Sequence, residues 1–141
     1  MEGFDGIRQA CDQAGINRRD RESEMFVVYI VVTLITIVAN AAEAVLNFRR
    51  AQSVIENMTE VRIPVRMLPY LGALKGAGAL GLTAGLFGPR PLGVAAAAGL
   101  TLFFVCAVAV HLRTRVLHNI AFPVLFLAFA AASLALGLTR L

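Results

Sequence analysis

Residues 25–47 read MFVVYIVVTLITIVANAAEAVLN, with no charge from Met25 to Ala42 and an apolar run that continues past Glu43 to Leu46. About 20 mostly apolar residues are enough to cross the roughly 30 Å of hydrocarbon in a bilayer. The polar side chains of this run, Tyr29, Thr33, Thr36, Asn40, Glu43 and Asn47, recur at steps of four, three, four, three and four. On a helix that spacing gathers them on a single face. Hydrocarbon gives an amide or carboxyl no hydrogen-bond partner, so this face must turn toward other helices. The two threonines suit packing alone, whereas Asn40 and Glu43 stand open between packing and function.

Three further runs have similar length: Met67 to Phe87, interrupted by Lys75; Pro91 to Leu112, with His111 near its end; and Ile120 to Thr139, without an ionisable group. None alternates with period two, which argues against a barrel. The composition agrees, since 58% of the 141 residues are hydrophobic, 16% are charged, and the mean hydropathy is +0.74. A soluble domain carries about 25% charged residues. The expectation is an all-α transmembrane four-helix bundle, up-down and antiparallel, in a cell membrane, with four spans at about 25–46, 67–87, 91–112 and 120–139. Two cysteines, Cys11 and Cys106, are too few for a disulfide scaffold, and the pI near 9.8 reflects membrane-flanking arginines, not a nucleic-acid partner.

The organisation expected is a polar N-terminal tail over 1–24 and a membrane domain over 25–141. The tail holds six acidic and four basic residues, too mixed in sign for a secretory signal, and Ile7 to Ala14 suggests a short surface helix that stops at Gly15. The long first inter-helix loop, Asn47 to Arg66, contains a short interfacial helix in the run from Ser53 to Glu60, with Ser53 and Glu56 spaced as a capping box. Such a loop is either a lid or a solvated connection. Gly88-Pro89-Arg90-Pro91 forces a tight hairpin, and Asn119 is placed to cap the last helix.

Lys75 lies about 12 Å from Met67 at about 1.5 Å per residue, too deep for its stem to reach water easily, so it calls for a partner or a wet cavity. The glycines around it, in the small-xxx-small series Gly72, Gly76 and Ala77, Gly81, Gly85, permit close helix approach and suggest homodimerisation as one use. In an up-down bundle Asn40, Glu43, Asn47, Tyr70, Lys75, His111, Arg113, Arg115, His118 and Asn119 share the half-bilayer nearest the long loop. A polar pocket opening on that face is the simplest arrangement. Hydrocarbon disfavours an ammonium, which makes Lys75 a candidate base or nucleophile. Glu43 and His111 are the other candidate catalytic groups. Asn40, Tyr70, Asn47, Arg113, His118 and Asn119 are candidate substrate-binding groups. The two histidines lack the carboxylate or cysteine neighbours of a metal site, so no metal is expected.

Val28-Tyr29-Ile30, the glycine-rich run Leu71 to Leu82 around Lys75, and Ala109-Val110-His111-Leu112-Arg113 resemble the DoxX-like family of small four-helix membrane proteins over about residues 25–139. Some members of the wider family are tied to quinone or thiosulfate oxidation, and a similar, more distant domain uses an intramembrane lysine as a base. The resemblance therefore implies a quinone-like, phenolic or lipid-like ligand near Lys75, and a quinone is the one cofactor it suggests. Two functions follow. One is an enzyme of the bilayer that performs isomerisation, cyclisation, epoxide opening or quinone-linked oxidation on an apolar small molecule. The other is a non-catalytic anchor or assembly partner for soluble redox or biosynthetic proteins, in which Lys75 and Glu43 only fix helix register.

Overall fold

The computed structural model describes residues 2–141. Five α-helices and one 3₁₀ turn make up the regular structure among these residues: α1, Glu2–Phe48; α2, Gln52–Glu60; the 3₁₀ turn Val65–Met67; α3, Leu68–Phe87; α4, Arg90–Thr114; and α5, Ala121–Leu138. There is no strand among them.

Three of the helices, α1, α4 and α5, are long and apolar enough to cross a membrane. The expected four-span, up-down transmembrane bundle and its four-span location are thereby corrected to a helical membrane protein with three such helices. The run from Met67 to Phe87 does form a helix, the 20 residues of α3 starting at Leu68, but Lys75 and the glycines at 72, 76, 78, 81 and 85 dilute its apolar surface. The surface helix expected in the N-terminal segment is longer than its local sequence suggests. Residues 2–24 form the first half of the 47-residue helix α1, exposed from Gly3 through Val28, while Met1 lies outside the described residues. Gly15 does not stop this helix. A single interior glycine costs about 1 kcal/mol, and a helix already nucleated on either side extends through it.

The long helices pack as a ring: α1 against α3, α3 against α4, α4 against α5, and α5 back against α1. Leu82, Ala97, Leu100, Phe104 and Ala130 form the apolar centre. Glycine sets the spacing on both sides of α3. A Cβ on Gly72 would lie 3.0 Å from Asn47 Cβ and 3.2 Å from the Ala44 carbonyl, so α3 rests on the α1 backbone there. On the α4 side, a Cβ on Gly81 would lie 2.7 Å from Ala96 Cβ, and one on Gly85 would overlap Gly93 Cα. The small-xxx-small faces expected to support a homodimer are thus occupied within the chain.

The connections nearest α2 share one device. Arg50, Arg62 and Arg115 follow α1, α2 and α4 with φ of 51°, 58° and 58°. Each closes its helix with paired bonds, such as Arg115 N–H to Leu112 O at 3.2 Å and Val116 N–H to His111 O at 3.0 Å. This is the Schellman pattern with arginine where glycine is usual. The expected side-chain caps do not form. Ala51 precedes α2, where Gln52 Nε2 donates to Glu56 Oε1 at 3.1 Å, and Ile120 precedes α5.

Candidate functional site

The polar face of α1 turns inward, with Thr33, Thr36, Asn40 and Asn47 buried and Tyr29 and Glu43 half-buried. Its middle part holds helices together. Thr36 Oγ1 donates to Val32 O at 2.8 Å and lies 3.0 Å from Ser133 Oγ on α5, and Asn40 Nδ2 donates to Thr36 O at 2.8 Å. One turn further on, the face meets a different environment.

Gly72 and Gly76 let α3 settle on Ala44, and this close approach carries Lys75 to Glu43. Lys75 Nζ donates to Glu43 Oε2 at 3.0 Å, with the lysine side chain 13% exposed and the glutamate 30%. The ammonium also lies 5.7 Å from the centroid of the Phe103 ring, within cation–π range. Apart from a pair between His118 and Glu60, this is the only carboxylate–cation contact among the described residues. The pair sits in the wall of a cavity of about 450 Å³. Leu71 and Leu74 of α3, Phe103, Phe104 and Ala107 of α4, and Phe122 and Phe126 of α5 make most of that wall apolar. On the loop side α2 bounds it with Val54, Asn57 and Met58.

Of the residues singled out from sequence, Lys75, Glu43, His111, Asn47 and Asn119 meet in this wall. His111 is buried, and its Nδ1 lies 2.9 Å from the Ala107 carbonyl. Because a carbonyl only accepts, Nδ1 is the donor and carries the proton. Asn119 Nδ2 donates to Asn57 Oδ1 at 2.9 Å, which ties the α4–α5 connection to α2. His118 adds an exposed contact to the same helix, with Nε2 3.1 Å from Glu60 Oε2. Asn40, Tyr70, Arg113 and His118 do not line the cavity: Asn40 is buried a turn before Glu43, Tyr70 is 70% exposed, and Arg113 and His118 are exposed at the end of α4 and in the connection that follows it.

Sequence reasoning missed Asn57 and the phenylalanines. The phenylalanines at 103, 104, 122 and 126 read only as span residues, and nothing in one sequence separates lipid-facing from cavity-facing rings. A signal for α2 was present. Val54, Asn57, Met58 and Val61 recur at helical spacing, and all four line the cavity.

An apolar, partly enclosed space with one ion pair and a few amides in its wall, set among long apolar helices, defines a small helical membrane protein. The family is narrower than that class. Residues 31–133 match the DoxX-like family, and the chain belongs to it. No curated protein and no solved structure matches the chain.

Proposed function

We propose that this protein binds an apolar small molecule in the cavity bounded by α2 and moves protons on it with Lys75 and Glu43. The observation that carries the reading is the 3.0 Å ion pair set in a wall that is mostly apolar. As a structural lock such a pair is poor, because apolar groups of equal volume usually hold a protein interior as well or better. As chemistry it supplies a proton donor and a proton acceptor at one edge of a ligand space. Lys75 as ammonium donates to a developing oxyanion. With its proton passed to Glu43, the same nitrogen becomes a base able to take a proton from a ligand carbon or hydroxyl while Glu43 returns one elsewhere. That exchange is redox-neutral and fits isomerisation, cyclisation or epoxide opening. His111 is a further proton carrier nearer the mouth, and Asn47 and Asn119 orient the ligand.

One observation favours a second reading. Residues 3–24 form an exposed, charged stretch of helix continuous with a membrane-length one, a platform on which a soluble partner can dock. The readings separate by two variants of the full chain. Lys75→Met should abolish turnover or weaken ligand binding at least tenfold and leave any partner bound, whereas deleting residues 1–22 should do the reverse. A folded Lys75→Met protein with unchanged ligand binding and activity would rule out the enzyme.

A further inference from the structure

We infer that the ligand of this cavity carries a phenol-type hydroxyl, which it donates to His111; the inference rests on the proposed reading of the cavity as a ligand site. It begins with acceptors that lack donors. His111 is 5% exposed, and with Nδ1 committed to the Ala107 carbonyl its neutral ring offers Nε2 as an acceptor only. No group among the described residues hydrogen-bonds to Nε2. Asn47, 2% exposed, has its Oδ1 in the same condition. Both residues belong to the wall of the cavity.

A buried acceptor without a donor is costly, and of the four buried side-chain atoms without a partner among the described residues, two, His111 Nε2 and Asn47 Oδ1, belong to residues of this wall, where a ligand that brings a donor relieves the cost. The complement of an acceptor is an O–H or N–H. A molecule whose only polar atoms are carbonyl oxygens, such as a quinone, satisfies neither Nε2 nor Oδ1. Its reduced, hydroxyl-bearing form does. Position agrees with this assignment. Asn47 lies one turn beyond Glu43 toward the long loop, and His111 lies two turns beyond Phe103 and Phe104 in the same direction. The acceptors are therefore at the α2 end, and the aromatic wall from Phe103, Phe104, Phe122 and Phe126 is ready for a ring next to them. A neutral hydroxyl fits better than a charged ammonium, since the cation of Lys75 already occupies the neighbouring Glu43.

The test is equilibrium binding to the purified full chain in detergent micelles, using radiolabelled forms of a long-chain 4-alkylphenol, its methyl ether and a straight-chain alcohol of equal length. The phenol should bind about tenfold more tightly than the ether, the difference expected of one buried hydrogen bond. That preference should vanish in His111→Phe and persist in His111→Gln, whose Oε1 still accepts. Equal binding of phenol and ether overturns the hydroxyl inference and leaves the cavity reading standing, whereas failure of all three probes to bind overturns both. An alcohol that binds as tightly as the phenol overturns the aromatic part, and a preference that survives His111→Phe overturns the assignment to His111. The wild-type comparison decides the main point without any variant having to fold.

Discussion

Removing the two charges of the Lys75–Glu43 pair singly and together should produce an asymmetric and strongly non-additive loss of stability. At 3.0 Å and an effective dielectric constant near 20, the gross attraction is about 5 kcal/mol. Desolvation of both ions offsets much of it, so the net value of the pair is small while the cost of stranding one partner is not. The stranded partners differ. Glu43→Met leaves the lysine, 13% exposed, among leucines and Phe103, and should cost about 3 kcal/mol, the low end for a broken buried pair. Lys75→Met leaves the glutamate, 30% exposed at the cavity edge, and should cost less, about 1–2 kcal/mol. The double variant should return to within about 1 kcal/mol of wild type, giving a coupling of at least about 2 kcal/mol. Reversible unfolding in mixed micelles by added dodecyl sulfate, followed by far-UV circular dichroism, measures all four corners of the cycle. A coupling of about 0.6 kcal/mol, the size of an ordinary interhelical hydrogen bond in a membrane protein, with equal single losses would show that neither charge is stranded when its partner is removed.

Glycine substitutions should split by what a Cβ would meet. Gly85→Ala drives a methyl into Gly93 Cα and should destabilise by about 1–3 kcal/mol or more, while Gly15→Ala, with nothing within 4 Å, should raise the stability of α1 by about 0.5–1 kcal/mol in thermal melts. Arg62→Gly relieves a left-handed backbone after α2 and should stabilise the chain by about 1 kcal/mol in the same melts. Asn119→Ala strands Asn57 and should speed amide hydrogen exchange across α2, whereas His118→Ala, which removes an exposed contact, should change it little. Exchange rates unaltered by Asn119→Ala would show that α2 is held by packing alone.

What the sequence revealed and what it hid divide along physical lines. The inward face of α1 was legible because hydrogen-bonding groups in hydrocarbon have few places to go, and Thr33, Thr36, Asn40 and Asn47 are buried as their spacing requires. The meeting of Lys75 with Glu43 followed from depth along two helices, but the reason for their contact, glycines that lower α3 onto Ala44, requires the packed structure. Helix ends were read less well. Gly15 and Asn119 carry strong local preferences for stopping and capping, yet continuity with a long helix overrides the first, and a bond to Asn57 claims the second. The span count failed for a related reason. Lys75 and the glycines were read as features within a span, although together they hold α3 short of the sustained apolar run that α1, α4 and α5 each carry.

Native mass spectrometry of the protein released gently from its own membranes reads out whether the cavity bounded by α2 holds an apolar small molecule, as proposed. Ala107→Trp is the matching control, since Ala107 lines the cavity and a bulky ring there fills it while the carbonyl that holds His111 remains in place. A single retained species of small-molecule mass should appear on the wild-type chain, be lost from Ala107→Trp and be weakened in Lys75→Met. Identical spectra for the wild-type and Ala107→Trp proteins, each bare or carrying only the same bilayer lipids, would contradict it.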